Sequence, residues 1–220
     1  MRGKLIVLEG LDGSGKTTQS EMLVRWLKER GQKVRALSFP RYGEKSCTLV
    51  EMYLGGELGS DPDSVNGYAS SVFFAADRYI SYVTDWKKDY EDPDCTVVAT
   101  RFTTANAYHQ LSKLEEGKWE DFRRWLYDFE FDRLGLPHPD SVVLLSMDPS
   151  VSSGNVRERS RETGQKMDIH ECDADYLRRC HKAASYAAEK GGWSVVECAP
   201  EGVLLSREEI FEKVRAALKL

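Results

Sequence analysis

The chain has 220 residues, of which 41% are hydrophobic and 30% charged, and its formal net charge is −5. That supplies the apolar material for one full α/β core and excludes a disordered chain, while the acidic balance speaks against a general nucleic-acid binder. The five cysteines (Cys47, Cys95, Cys172, Cys180, Cys198) form no C-x-x-C pair and an odd set, so reduced thiols in a cytoplasmic protein are expected, not a disulfide or zinc framework. Met1-Arg2-Gly3-Lys4 leads directly into a strand pattern. No signal peptide and no membrane-spanning run is expected.

The first strand pattern is Leu5-Ile6-Val7-Leu8. It is followed by Gly10-Leu11-Asp12-Gly13-Ser14-Gly15-Lys16-Thr17, a G-x-x-x-x-G-K-[ST] phosphate-binding loop, and then by helical spacing of apolar residues from Thr18. Strand, glycine-rich turn and helix in that order give the motif its context. Gly10, Gly13 and Gly15 let the backbone curl so that its N–H groups converge on phosphate oxygens. The helix that opens near Lys16 adds its positive end. Lys16 would meet the β- and γ-phosphates of ATP, and the Thr17 hydroxyl would meet Mg²⁺. Residues 10–18, Thr18 included, form the expected ATP cradle.

Val34 to Phe39 reads as a second strand ending at Phe39-Pro40-Arg41-Tyr42-Gly43. A βαβ order with a short crossover predicts a parallel sheet flanked by helices, with ligands off the carboxyl ends of the strands. Arg41 is thereby placed to hold a phosphate. Helix is expected within residues 44–59, and a long helix over 65–88, on which Phe74 and Arg78 share a face. From spacing alone, an aromatic plate beside a guanidinium reads a flat base or belongs to the core and an ion pair. Cys95 to Thr100 is the third strand, with Arg101 to Gln110 at its carboxyl end. A helix is expected over 120–133, the fourth strand over 141–147, and a helix from near Ser150 with the Ser150 hydroxyl as cap. Residues 155–168 carry several cations and few apolar residues, the composition of a lid that closes on phosphates. A helix over 173–190, a fifth strand over 193–197 and a final helix opened by the Ser206–Glu209 capping box complete the pattern. The whole predicts one domain, a five-stranded parallel sheet flanked by helices.

A phosphate-binding loop alone leaves phosphoryl transfer and a nucleotide-driven switch open. No N/T-K-x-D guanine-reading pattern occurs in the later strands. Room for a second ligand between residues 39 and 110, with a basic lid beyond Asp148-Pro149, is the layout of a small kinase acting on a phosphorylated acceptor.

With these motifs in order, Leu8 to Gln19, Phe39 to Gly43, Phe74 to Arg78, Arg101-Phe102-Thr103 with Asn106 and Gln110, Asp148-Pro149 and Asp168 to Glu171, the chain resembles the thymidylate kinase family over nearly its whole length. The resemblance implies a P-loop kinase that moves the γ-phosphoryl group of Mg-ATP to dTMP, and a homodimer. It implies that Asp12 lies at the deoxyribose or the acceptor phosphate, that Arg41 and Arg101 hold that phosphate, and that Phe74 stacks on thymine while Arg78 reads its O4. It further implies that Phe39, Pro40, Asn106 and Gln110 complete the acceptor pocket, with Tyr108 supporting the base, and that Glu171 closes over the sugar and metal region. A guanidinium only donates, so Arg78 suits a carbonyl edge and disfavours the amino group of cytosine. The residue after Asp12 is Gly13, so the catalytic arginine is expected from the lid, among Arg157, Arg159 and Arg161, with Arg159 and Arg161 first. The resemblance departs at Thr100, where the family has an aspartate before the arginine, and at His109, which pushes Gln110 one place on. Thr100 leaves open an acceptor other than dTMP, or a catalytically weak nucleotide-binding protein. Asp148 and Glu9 are the candidates for a second metal contact.

Overall fold

A computed structural model describes residues 2–164 and 167–220, apart from the side chains of Arg159 and Thr163. Five parallel strands, β1 (Lys4–Glu9), β2 (Lys33–Ser38), β3 (Cys95–Thr100), β4 (Ser141–Ser146) and β5 (Ser194–Glu197), lie in the order β2-β3-β1-β4-β5. β1 is central: Leu5 pairs with Val97 and Leu8 with Thr100 on one side, and Leu8 with Val143 on the other. The helices are α1 (Lys16–Glu29), α2 (Thr48–Leu54), α3 (Gly67–Ser81), α4 (Lys87–Glu91), α5 (Thr103–His109), α6 (Trp119–Tyr127), α7 (Pro149–Thr163), α8 (Ile169–Cys172), α9 (Ala174–Gly191) and α10 (Arg207–Leu218).

The apolar runs of β1 and β3 are continuous because both sheet faces are covered. Alternate residues point to opposite faces. Ile6 and Val98 pack with Leu23 and Leu27 of α1 and Phe211 of α10. Leu5, Val7, Val97 and Ala99 pack with Trp86, Tyr90, Phe102 and Phe131 on the other face. This is the expected five-stranded architecture, with the carboxyl ends of β1, β2, β3 and β4 converging above the phosphate-binding loop.

Several element boundaries differ from the expectation. Helix within 44–59 shrinks to α2, preceded by a 3₁₀ turn at Lys45–Cys47. The long helix over 65–88 is α3 and α4 joined by a π-helical turn, Tyr82–Trp86, where the buried Trp86 indole donates to the Ser81 hydroxyl (3.1 Å). α6 likewise runs into a π-helical turn, Asp128–Arg133. Asp148, not Ser150, caps α7: its Oδ1 accepts from the Ser150 N–H (2.8 Å) and the Ser150 hydroxyl (2.6 Å), with Pro149 in the first turn. The segment expected as a lid is helical up to Thr163 and is ended by Gly164 in the left-handed conformation; Gln165 and Lys166 lie outside the described residues. The Ser206–Glu209 capping box is present.

Candidate active site

The loop from Gly10 to Gly15 is closed by the Ser14 N–H on the Leu11 carbonyl (3.1 Å) and passes into α1 through Gly15 at φ 87°. No side chain caps α1, and the amino-terminal end of a helix favours an anion. Lys16 is 7% exposed; its Nζ donates to the Leu11 carbonyl (2.7 Å) and lies 3.8 Å from Asp12 Oδ1. Thr17 is exposed beside it, and Thr18 is half-buried. Gly13, at φ 80°, has a second reason to be glycine. A Cβ there would stand 2.1 Å from the Ser152 carbonyl of α7, and Asn155 Nδ2 donates to the Gly13 carbonyl (2.8 Å). α7 therefore lies against the phosphate loop and leaves no room for an arginine at that position. Arg157 and Arg161 are exposed on α7; the Arg159 side chain lies outside the described residues.

Arg101 follows β3 at φ 63°, a left-handed backbone that costs a non-glycine residue about 1 kcal/mol or more. The turn is held by the Arg101 N–H on the Leu8 carbonyl (3.0 Å) and the Phe102 N–H on Glu9 Oε1 (2.9 Å). It aims the guanidinium at the phosphate loop. Nη2 donates to Asp12 Oδ1 (2.5 Å), and Nη1 lies 3.1 Å from the Tyr108 hydroxyl and 3.0 Å from His109 Nε2. Burial alone would raise the Asp12 carboxyl, but Arg101 and Lys16 outweigh it and hold the group well below the usual carboxylate range. Burial opposes the Arg101 charge, and Asp12 more than restores it. His109 is pushed well below its ordinary value by burial and by Arg101, so it is a neutral ring at pH 7.

Glu9 is fully buried beneath this pair. Its oxygens accept from the Phe102 N–H, the Thr104 hydroxyl (2.6 Å) and the Tyr108 hydroxyl (2.9 Å). Both oxygens are thus engaged inside the protein, which removes Glu9 as a metal contact. Asp148 is spent on the α7 cap. Tyr108 turns its hydroxyl to Glu9, the Gly10 carbonyl and Arg101, at the phosphate-loop end of the site.

The expected base pocket lies between α3 and α5. Phe74 is half-buried, edge-on to Tyr53 (6.1 Å). Arg78 is 2% exposed and donates through Nε (2.7 Å) and Nη2 (2.6 Å) to Glu130, itself fully buried. Glu130 also accepts from Thr103 Oγ1 (2.8 Å) and Asn106 Nδ2 (3.1 Å). Arg78, Asn106 and Glu130 thus form one polar cluster one helical turn from Phe74. Gln110 stands apart from it: its Oε1 accepts from the Ser70 hydroxyl (2.7 Å) and its Nε2 is buried without a partner. Phe39 gives its ring to the core against Phe102 (5.9 Å), and Pro40 follows through a cis peptide bond. The Arg41 guanidinium pairs with Asp85 (3.1 Å).

Asp168, Ile169, His170 and Glu171 form a capped turn. Asp168 accepts from the His170 and Glu171 N–H groups, and Glu171 accepts from the Asp168 N–H. The turn docks through His170, whose ring stacks on His109 (5.5 Å) and whose Nε2 lies 2.8 Å from the Tyr53 hydroxyl. Burial, and then Lys113, push His170 down to about 3. Burial and the nearby Asp12 charge push Asp168 up to about 7.

Two residues of this arrangement, Glu130 and His170, the latter inside the Asp168 to Glu171 motif, were given no role by sequence reasoning. Glu130 continues the spacing of Phe122 and Leu126 on the buried face, so an acid on an apolar stripe was its signal. His170 carried none, because its partner is distant in sequence.

A family model described as thymidylate kinase matches residues 8–210. The chain belongs to the thymidylate kinase family. It is 34% identical over 199 residues to the thymidylate kinase of Mycobacterium tuberculosis, covering 87% of this chain and 90% of that one. It is 29% identical over 158 residues to the thymidylate kinase of Danio rerio, covering 69% and 65%. The solved thymidylate kinase from Candida albicans superposes with a TM-score of 0.69 over 99% of this chain and 92% of that one at 17% identity, a likeness of fold. Among the described residues no helix is long and apolar enough to cross a membrane.

The donor set suits Mg²⁺. Among the described residues no three His, Cys, Asp or Glu side chains converge as a metal cage. Mg²⁺ in phosphoryl-transfer sites is held by phosphates, waters and one or two protein oxygens, and the exposed Thr17 hydroxyl at the start of α1 could supply one.

Proposed function

We propose that this protein transfers the γ-phosphoryl group of ATP to dTMP, giving dTDP and ADP. The observation that carries the reading is the 2.5 Å pair between Asp12 and Arg101. It joins the loop that would bind the donor to the cation that would bind the acceptor phosphate, so the reacting groups would meet between them. The acceptor is already an anion, so no strong base is needed; the chain's work is alignment and charge neutralisation. Lys16 would draw charge from the β- and γ-phosphates. An α7 arginine, Arg157, Arg159 or Arg161, would stabilise the transferring group. Thr17 would contribute its hydroxyl to Mg²⁺, which when bound would supply further charge neutralisation.

On the acceptor side, Arg101 would hold the phosphate, and Arg41 would join it on exchanging Asp85 for that stronger anion. Phe74 would stack on the base. Arg78 keeps Nη1 beyond its pair with Glu130, a donor for the O4 carbonyl of thymine. Asn106 would sit at the same edge, and Glu171 would close the sugar side, with Asp12 at the sugar or phosphate. Gln110 and Phe39 would shape the pocket from behind. Five free cysteines, four of them buried, support a reducing, cytoplasmic setting. An exposed apolar stripe on α3 and the following turn (Val72, Tyr79, Ile80, Val83; 39–47% exposed) supports a homodimer through that face.

Label transfer tests the reading. With γ-labelled Mg-ATP, label should move to dTMP and give dTDP, and Lys16→Ala should abolish transfer. Label released only as inorganic phosphate, or moved to another monophosphate in preference, would overturn it.

A further inference from the structure

We infer that Tyr108 is a positioning residue for phosphoryl transfer, acting through Arg101. The inference rests on the proposed role of Arg101 at an acceptor phosphate. The Tyr108 ring is fully buried in the core cluster with Leu11, Phe122 and Tyr176, so its place is fixed. Its hydroxyl oxygen stands at a junction. It donates to Glu9 Oε2 (2.9 Å), with the Gly10 carbonyl (3.0 Å) as the alternative acceptor. It accepts from Arg101 Nη1 (3.1 Å) and faces the Gly10 N–H at 3.4 Å. One oxygen therefore touches the first residue of the phosphate loop and the guanidinium across from it.

The same guanidinium sits on a strained turn. Glu9 holds that turn from below through the Phe102 N–H and reaches the guanidinium again through Tyr108. Asp12 fixes only Nη2. Without the phenol oxygen, Nη1 keeps only a long contact to the Gly10 carbonyl (3.4 Å) and its contact to His109 Nε2 (3.0 Å), so its hold on the loop loosens and the guanidinium can rock about the Asp12 pair. Phosphate would still bind, since the charge remains. What would suffer is the in-line placement of donor and acceptor, which is worth far more than the bond itself. Nothing in the sequence signals this: the resemblance places Tyr108 under the base.

The test is a double-mutant cycle on the enzyme at saturating Mg-ATP, with Tyr108→Phe, Arg101→Lys and the double variant. Binding of a non-hydrolysable ATP analogue, one per chain, shows that each variant is folded. Tyr108→Phe should lower kcat at least tenfold with KM for dTMP within threefold. In the Arg101→Lys background it should cost less than threefold more, because the group it positions is already altered. A purely structural role would instead multiply the two effects, and that result, or an unchanged kcat in Tyr108→Phe, overturns the inference. If Tyr108→Phe binds no analogue, Tyr108→His, which keeps a polar ring but withdraws the oxygen from Nη1 and leaves the Glu9 contact to the Phe102 N–H in place, takes its place in the same cycle with the same criteria. Should the wild type prefer another monophosphate over dTMP, the acceptor assignment fails and the cycle is read with that acceptor. Should it phosphorylate none, the inference falls with the kinase reading.

Discussion

Glu130 is fully buried against Arg78, Thr103 and Asn106, and a buried charge keeps its place only while its partner stays. Glu130→Ala should therefore destabilise the protein by about 3–5 kcal/mol, read from urea unfolding; a loss under about 1 kcal/mol would show that Arg78 reaches water or another acid. Gly13→Ala meets the Ser152 carbonyl and a left-handed backbone together. It should push α7 off the loop and weaken ATP-analogue binding at least tenfold; unaltered affinity would mean that α7 is not seated there in solution. At this scale legibility followed locality. Lys16, Thr17 and the loop glycines were readable because their geometry is set by neighbours in sequence. Arg78 was readable as a donor, but its carboxylate partner lies 52 residues away. The direction of the Tyr108 hydroxyl follows from how α5 sits on β1, which no spacing reveals.

Elements were legible where period and length agreed. The five strands stand where the apolar runs placed them, and both capping-box residues open α10. The π-helical turns after α3 and α6 were not, since helical spacing persists through an extra residue and only packing shows it. The lid composition at residues 155–163 proved compatible with helix, because exposed charged side chains favour helix and lid alike. If α7 supplies the catalytic arginine, Arg161→Ala or its neighbour Arg159→Ala should lower kcat about 10³-fold while leaving ATP affinity nearly intact; two variants with wild-type kcat would move the role to Arg157. Lys113 ties α5's end to the segment between α2 and α3. Its ammonium donates to the Tyr53 hydroxyl (2.6 Å), the Val65 carbonyl (2.9 Å) and the Ser70 hydroxyl (3.2 Å). Burial pushes it down to about 7 against the opposing pull of Asp63. The folded state thus gives up this proton at lower pH than the unfolded chain, so stability should rise with pH from about 7 toward the ordinary lysine range near 10.4. Lys113→Met should remove that slope; equal slopes in urea midpoints at pH 6.5 and 9 would contradict it.

All five strands are parallel, so their carboxyl ends, and with them the phosphate loop after β1 and Arg101 after β3, lie at the same edge of the sheet. That much followed from the βαβ order. The surface opposite the sheet on α3 was not legible, since an exposed apolar stripe and a core-facing one share a period. If two copies meet there, Val72→Asp with Val83→Asp should shift the protein from dimer to monomer by light scattering; a wild-type monomer at micromolar concentration would refute the pairing. The central claim is that this arrangement selects a thymine monophosphate. It is tested most directly by ADP release from Mg-ATP against dTMP, dUMP, dCMP and AMP. The kcat/KM for dTMP should be at least a hundredfold above those for dCMP and AMP, since Arg78 offers only donors to the base edge. Equal turnover of dTMP and dCMP would contradict it, and would mean that the uncharged Thr100 accompanies a site that holds the phosphate and ignores the base.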